Sequence, residues 1–211
     1  MSVILCQCHA YRRIAQERLD AVLAACAESA IPCVALPDLC FVSAKDPETA
    51  RQIAEAEIIL ACQPRAVRAM FPGAARCLDL RTEPLETILS AIRAIPVTPT
   101  VCNPAPPTEW IPWFPVIDSV RCVQCGKCAD FCLFGVYAAD GGSVRVSQPD
   151  HCKTDCPACA RICPQNAIIF PKSEEPRLNG ALDTPVKPEP MDQAAFRERL
   201  KNRKLRLFKE D

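Results

Sequence analysis

Hydrophobic residues over the first 95 positions fall into short apolar runs separated by segments with helical periodicity. The apolar runs predict strands over residues 3–5, 33–36, 58–60 and 75–80. The periodic segments predict helices over residues 11–29, 47–56, 65–70 and 85–94. The stripe of the first helix consists of Ile14, Leu19, Val22, Leu23 and Cys26. The pattern therefore predicts that strands and helices alternate along this part of the chain.

Alternating strands and helices build parallel sheets, because each helix carries the chain back across a face of the sheet. We therefore expect residues 1–95 to form an α/β domain with a parallel sheet and a flavodoxin-like or Rossmann-like winding. The Gly-x-Gly-x-x-Gly pattern of dinucleotide-binding sheets follows none of the predicted strands. A dinucleotide or flavin site of that type is not expected.

Prolines divide the remainder of the chain. Seven prolines lie between Pro96 and Pro115 and five between Pro171 and Pro190. Segments so rich in proline form neither helices nor central strands. We therefore expect a proline-rich linker over residues 96–117, a small domain over 118–172 and a tail over 173–211. Aromatic residues of the linker are expected to dock it onto a domain surface, namely Trp110, Trp113 and Phe114.

The small domain contains eight cysteines in two compact runs. These are Cys122-x2-Cys125-x2-Cys128-x3-Cys132 and Cys152-x3-Cys156-x2-Cys159-x3-Cys163-Pro164. A cubane cluster needs four thiolates at tetrahedral corners, and two-residue gaps let one tight loop supply three of them. The fourth thiolate must come from elsewhere in the chain. This density of cysteines indicates cages for iron–sulfur clusters.

Over roughly residues 116–172 the chain resembles bacterial ferredoxins that carry two [4Fe–4S] clusters. The resemblance includes Asp118-Ser-Val-Arg-Cys122, Gly135-Val-Tyr137 and Cys163-Pro-Gln-Asn-Ala-Ile168. Leu133 stands where proline often follows the last cysteine, and the second run opens with three intervening residues rather than two. The resemblance implies an α+β ferredoxin-like domain with two short hairpins and a helix after each cysteine run. Gly141-Gly142 predicts the turn of one hairpin.

In two-cluster ferredoxins the last cysteine of each run binds the other cluster. The resemblance therefore implies that the first cluster is held by Cys122, Cys125, Cys128 and Cys163. It implies that the second cluster is held by Cys132, Cys152, Cys156 and Cys159. Four apolar side chains are expected to exclude water from the clusters, those of Phe131, Phe134, Ile162 and Ile168.

Three other interpretations of the cysteine runs were weighed. Zinc also binds four thiolates, but its cysteine pairs are usually separated by a dozen or more residues. A disulfide framework would require an oxidising compartment. The spacing of Cys152, Cys156 and Cys159 is also that of radical S-adenosylmethionine enzymes, which wrap it in a large α/β barrel. Too few residues follow here for such a barrel, and Cys132 is available as a fourth ligand.

Four cysteines of the first domain follow predicted strands. Cys6 and Cys8 come after the first strand, Cys40 after the second and Cys62 after the third. The carboxyl ends of parallel strands meet at one edge of the sheet, so these four thiols could converge there. Alternatively, they are buried small apolar residues, which is the interpretation favoured for Cys26, Cys33 and Cys77. No role is assigned to Cys102.

The segments around these four cysteines resemble the N-terminal domain of the flavin-bearing subunit of heterodisulfide reductases. The similar segments are Ile4-Leu-Cys-Gln-Cys8-His9, Cys40 and Ala61-Cys-Gln-Pro-Arg65. The chain lacks that family's flavin domain, and His9 stands where the family tends to have glycine. The resemblance implies that Cys6, Cys8, Cys40 and Cys62 hold a third [4Fe–4S] cluster.

Composition restricts the location and partners. Lys and Arg number 25, as do Asp and Glu, so no overall charge favours nucleic acid or a membrane surface. No apolar stretch approaches the roughly 18 residues that span a bilayer, and the first six residues do not resemble a signal peptide. Sixteen cysteines without export fit a reducing cytoplasm. We expect a cytoplasmic protein of anaerobic redox metabolism with no membrane span.

These expectations favour an electron carrier, not an enzyme, that relays single electrons to or from a redox partner protein such as an oxidoreductase subunit. Basic residues beside the cysteines could form a docking rim, namely Arg121, Lys127, Lys153 and Arg161. The alternative is an iron–sulfur sensing module whose clusters gate binding through the basic tail over residues 191–211. Nucleic acid is a less favoured partner, because the net charge is zero.

Overall fold

The first half of the chain forms a four-stranded parallel sheet. The computed structural model describes residues 3–95 and 110–182. The strands are β1 (Val3–Cys6), β2 (Cys33–Leu36), β3 (Ile58–Ala61) and β4 (Cys77–Asp79). Their order in the sheet is β2-β1-β3-β4, and every pair is parallel. The predicted α/β class is confirmed, and this order is the one found in flavodoxin-like winding.

Five helices accompany the sheet. They are α1 (Gln16–Glu28), α2 (Leu39–Lys45), α3 (Pro47–Ala54), α4 (Pro64–Met70) and α5 (Leu85–Arg93). Four of them were predicted within a few residues, and α2 was not predicted. Helix α1 begins at Gln16, five residues later than the pattern suggests. The reason is a turn in which the Arg12 amide donates to the Cys8 carbonyl, with both residues in the left-handed conformation.

The core lies between the sheet and its helices. Strands β1 and β3 are buried along their whole length, as expected of central strands in a parallel sheet. The largest fully buried side chains include Phe71, Ile53, Ile88 and Ile92, which come from the helices and from the end of α4. A core of this kind fixes the loops at the carboxyl ends of the strands, where the cysteines of this half lie.

The second half contains two small antiparallel pairs of strands. Strand β5 (Val116–Ile117) pairs with β8 (Ile168–Ile169), and β6 (Tyr137–Asp140) pairs with β7 (Ser143–Val146). Gly141 and Gly142 have φ angles of 59° and 81°, so the predicted hairpin turn is confirmed. The second predicted hairpin is instead a pairing of the first and last strands of this half.

Short helices lie inside the cysteine runs, not after them as expected. Helix α6 (Lys127–Phe131) ends just before Cys132, and α7 (Ala158–Ile162) ends just before Cys163. A 3₁₀ turn (Pro149–His151) precedes Cys152, and α8 (Pro176–Asn179) follows the last strand. The last cysteine of each run therefore leaves the end of a helix in an extended conformation.

The two halves pack against each other through a buried ion pair and aromatic side chains. Arg65 of α4 donates through Nε to Asp118 Oδ2 at 2.9 Å and through Nη2 to the carbonyl oxygen of Asn166 at 2.5 Å. Phe114 and Trp113 are buried, which places the end of the expected linker in the interface. Trp113 stacks on Phe170, with 5.3 Å between ring centroids.

Some predictions concern segments outside the described residues. They include most of the linker with Cys102, the end of the expected tail and its basic residues 191–211. No helix in residues 3–95 and 110–182 is long and apolar enough to cross a membrane. The domain boundaries and the cytoplasmic location stay predictions.

Candidate metal centres

The first cysteine run forms one side of a concavity. The cysteines that line it are Cys122, Cys125, Cys128 and Cys163. It holds about 390 Å³ of empty space, part of which is open to solvent. Cys125 is exposed and the other three are partly buried. The structure thus brings together the four cysteines that the ferredoxin resemblance assigns to one cluster, and their ligation stays a prediction.

Backbone geometry curls the first run around this concavity. Gln124 and Gly126 have φ angles of 56° and 76°, so the chain turns sharply between Cys122 and Cys128. The Cys122 amide donates to the Asp118 carbonyl at 2.9 Å, which anchors the start of the loop. At Cys163 the sulfur accepts a hydrogen bond from the Ala167 amide at 3.3 Å. Such donors stabilise a thiolate, the form that binds metal.

The second run lines a separate and larger concavity. Its cysteines are Cys132, Cys152, Cys156 and Cys159. About 1000 Å³ of empty space lies within it, again including open solvent. Cys132 arrives from the first run and Cys163 of the second run lies in the other concavity. The last cysteine of each run therefore crosses to the opposite group, in the arrangement expected for a two-cluster cage.

Burial affects the thiols of the second group. Burial, reinforced by the neighbouring thiolates of Cys159 and Cys156, raises the pKa of Cys152 to about 12. Burial also raises the pKa of Cys159 to about 11, although a hydrogen bond from Tyr137 acts in the opposite direction. The Tyr137 hydroxyl donates to Cys159 Sγ at 3.1 Å. These thiols are protonated at neutral pH, so a bound cation is needed to hold them as thiolates.

The four candidate cysteines of the first half converge at the carboxyl edge of the sheet. Their side chains are almost completely buried, with exposures of 2% for Cys6, 1% for Cys8, 2% for Cys40 and 5% for Cys62. Cys6 is the last residue of β1, Cys62 follows β3, and Cys40 lies in the first turn of α2. Electrostatic interactions among the thiols link Cys6 with Cys8 and Cys62, and Cys40 with Cys6 and Cys62.

A buried ion pair lies among these four thiols. Lys172 Nζ donates to Asp38 Oδ2 at 2.5 Å and to Cys8 Sγ at 3.5 Å. The side chains of Lys172 and Asp38 are 2% and 6% exposed. Burial acts to lower the pKa of Lys172, but the nearby charges of Cys40 and Asp38 outweigh it and raise the pKa above its ordinary value. Lys172 is therefore a cation at neutral pH, placed beside a group of sulfur atoms.

Burial raises the pKa of the thiols around this ion pair. Desolvation is the largest cause for Cys6, Cys40 and Cys62, and the charge of Asp38 adds to it for Cys6. Four buried thiols are a donor set suited to a soft metal centre, and one buried cation suits the net negative charge of a cluster bound by four thiolates. A bound group would also satisfy sulfur atoms that water cannot reach. The residues present therefore fit an iron–sulfur cluster.

No group of three or more His, Cys, Asp or Glu side chains in residues 3–95 and 110–182 is arranged to hold a single metal ion. No disulfide joins any of the described cysteines.

Of the described cysteines outside the three groups, Cys26 is buried as expected, whereas Cys33 and Cys77 are only partly buried against the core. Cys26 is buried in the core, and its thiol forms a hydrogen bond with that of Cys33. Cys77 is partly buried, and burial raises its pKa. Neither feature points to a ligand, so these residues contribute to packing.

Two expectations about the cluster surroundings need correction. Phe131 and Phe134 are 48% and 44% exposed, so they do not seal the second concavity against water. Ile168 is buried as expected, because it pairs with β5 and faces the interior. In the expected basic rim, Lys127, Lys153 and Arg161 are exposed, and Arg161 pairs with Glu175 at 2.6 Å. Arg121 is only 15% exposed and lies 3.6 Å from Asp118.

Comparison with known proteins supports the ferredoxin resemblance over part of the chain. A segment of 50 residues, 23% of the chain, is 49% identical to an uncharacterized ferredoxin of Methanocaldococcus jannaschii. This chain contains a ferredoxin-like segment. The match covers 34% of that protein, so the chain spans about a third of the length of the curated relative that it matches. No family model matches the chain. The resemblance to heterodisulfide reductases stays a prediction.

Lys172, Asp38 and Tyr137 were not predicted as parts of these sites. Asp38 precedes α2 and accepts a hydrogen bond from the Cys40 amide at 3.0 Å, as a helix-capping aspartate does. The Pro37-Asp38 pair was a signal that could have revealed this helix and its place beside Cys40. Nothing in the local sequence of Lys172 connects it with Cys8, which is 164 positions away.

Proposed function

We propose that this protein is an iron–sulfur electron carrier that holds three [4Fe–4S] clusters. The observation that carries the proposal is the gathering of the candidate cysteines into three separate groups of four. Two groups line concavities in the second half, and the third group is buried beneath Lys172. When bound, such clusters accept and release one electron at a time.

The third cluster is supported by the setting of the first-half cysteines. Cys6, Cys8, Cys40 and Cys62 share one edge of the sheet and one buried cation. Their spacing also resembles that of the heterodisulfide reductase domain. Cys26, by contrast, lies in helix α1 and not at the carboxyl edge of the sheet.

The packing between the groups supports a relay. Cys40 belongs to a buried apolar group with Phe114, Val116 and Ile169, and Cys152 packs against that same group. Tyr11 lies on the other side, where its ring is 5.4 Å from Lys172 Nζ and 6.4 Å from the ring of Trp113. The first-half site and the second-run site are thus separated by few side chains. We propose that electrons pass between these two sites.

The first-run site is the proposed point of exchange with a redox partner protein, such as an oxidoreductase subunit. Cys125 is exposed, as is Lys127 two residues later. Electron transfer between proteins requires a short distance between centres, and an exposed ligand provides it. The exposed cations Lys127 and Lys153 would favour an acidic partner surface.

The iron content of the purified protein tests the proposal. We expect about twelve irons and about twelve sulfides per chain, since each cluster contributes four of each. Replacing one ligand of the first-half site, Cys62→Ser, should lower the iron content to about eight, because that site loses its fourth thiolate. The measurement is anaerobic iron and sulfide analysis of the reconstituted protein.

Cys77→Ser is the matched control, because Cys77 belongs to the same sheet but to none of the three groups. It should leave about twelve irons. About eight irons in the unaltered protein, with no loss in Cys62→Ser, would contradict the third cluster while leaving the ferredoxin-like pair in place.

A further inference from the structure

Lys172 is a buried cation that the second half of the chain contributes to the first-half site. It follows β8 and the segment Phe170-Pro171, yet its ammonium group lies against Cys8 and Asp38. Arg13 fixes the backbone here, since its Nη2 donates to the Lys172 carbonyl at 2.7 Å. The side chain is therefore held in place at both ends.

The environment leaves this charge little solvent to screen it. Lys172 is 2% exposed, and its ion-pair partner Asp38 is 6% exposed. Charges buried in protein interact more strongly than charges in water, and salt screens them less. Adding one electron to the site makes its charge more negative by one unit. A buried cation stabilises that state relative to the oxidised one, and a buried anion destabilises it.

We propose that Lys172 and Asp38 are positioning residues of the first-half site that set its reduction potential with opposite sign, Lys172 raising it and Asp38 lowering it. The inference rests on the proposed third cluster. It assigns the second half of the chain a direct part in tuning a site whose sulfur ligands all come from the first half. Arg81 also acts electrostatically on Cys62, and its own ion-pair partner is Asp79 at 2.8 Å.

The test is an anaerobic, dye-mediated redox titration followed by electron paramagnetic resonance. The signal absent from Cys62→Ser identifies the first-half site. Lys172→Met should lower its reduction equilibrium constant at least tenfold, which is 59 mV for a one-electron couple. Asp38→Asn should raise the constant, and the double variant should lie between the two. A purely structural role would not produce shifts of opposite sign.

Lys45→Met is the matched control, since Lys45 lies at the far end of α2 and its side chain is 36% exposed beside Asp150. It removes the same charge and should leave the first-half signal unchanged. If Lys172→Met loses iron, the Asp38→Asn variant becomes the test. An upward shift of the reduction potential of the first-half site supports the inference, and an unchanged potential overturns it.

The two proposals fail in different ways. Unchanged potentials in Lys172→Met and Asp38→Asn, with about twelve irons in each, would overturn the electrostatic role and leave the third cluster intact. An iron content that does not fall in Cys62→Ser would overturn the third cluster itself, independently of Lys172.

Discussion

The second-run site contains a tyrosine hydroxyl group that donates a hydrogen bond to a cysteine sulfur. Tyr137 projects from β6, and its hydroxyl donates to Cys159 Sγ. Burial raises the pKa of Tyr137, so the phenol remains a donor at neutral pH. A donor to sulfur stabilises the more negative, reduced state of a cluster. Tyr137 is therefore expected to raise the reduction potential of this site.

Tyr137→Phe should lower the potential of the second-run site by about 20–60 mV. The range corresponds to the loss of one hydrogen bond worth about 0.5–1.5 kcal/mol, at 59 mV for each tenfold change. A redox titration followed by electron paramagnetic resonance measures it. The resonance signal of the first-half site is the internal control. An equal shift of its potential would show that the substitution perturbs the whole structure and not the hydrogen bond alone.

Left-handed residues recur in the loops of all three sites. Cys8, Gln124 and Asp155 have φ angles of 49°, 56° and 60°. Residues other than glycine adopt this conformation at a cost of roughly 1–2 kcal/mol, so it is kept where the surrounding structure requires it. Each of these residues lies next to or among the cysteines of its site. The conformation turns the loop back on itself, which brings successive thiols to the same side.

Among the elements, α6 depends on a glycine at its start. Gly126 is the N-cap of α6 and has a φ angle of 76°. A Cβ atom there would meet nothing within 4 Å, so any effect of a substitution comes from the backbone alone. Helix α6 carries Cys128 and leads into Cys132, so this glycine affects candidate ligands of both second-half sites.

Gly126→Ala should therefore lower stability by roughly 1–2 kcal/mol, the cost of the left-handed conformation. Gly126→Asn should cost less, because asparagine adopts that conformation more readily. Anaerobic urea denaturation followed by the visible absorbance of the clusters measures both. Equal losses for alanine and asparagine would mean that the side chain, not the backbone, is responsible.

The sequence predicted the elements whose formation depends on nearby residues in the chain. Apolar runs located all four strands of the sheet within a few residues, and Gly141-Gly142 located the hairpin. Helix α2 was missed because it is only seven residues long and its apolar positions do not form a stripe. The start of α1 was misplaced because the turn at Cys8 and Arg12 depends on backbone hydrogen bonds rather than on composition.

The same distinction applies to the sites. Cysteine spacing and the ferredoxin resemblance indicated the first two groups of four. The positions of cysteines after predicted strands, together with the reductase resemblance, indicated the third. Lys172 has no such signal, because lysine is usually an exposed residue and its partner Asp38 is 134 positions away. Such a contact depends on how the halves of the chain pack, and periodicity carries no information about that packing.

At the scale of the whole molecule, two buried ion pairs among residues 3–95 and 110–182 join the halves. Arg65 pairs with Asp118, and Lys172 pairs with Asp38. The Arg65 side chain is 5% exposed and also donates to the carbonyl oxygens of Asn166 and Leu182. Removing one partner of a buried pair leaves the other charge without compensation, which is costly.

Arg65→Met should therefore lower the free energy of unfolding by roughly 3–5 kcal/mol. Anaerobic urea denaturation followed by circular dichroism measures the change. Arg51→Met is the matched control, because Arg51 forms an ion pair with Glu48 at the surface and is 75% exposed. That substitution should cost less than about 1 kcal/mol. Similar losses in both variants would show that Arg65 does not hold the halves together.

The contact of Lys172 with the first-half site also has a consequence for biosynthesis. All four cysteines of that site leave the ribosome long before Lys172 does, because the chain is made from its amino end. The thiols of that site are therefore made before the cation that contacts Cys8 in the folded chain. We expect a cluster at this site to be loaded before the second half folds, because the four cysteines are almost completely buried once folding is complete.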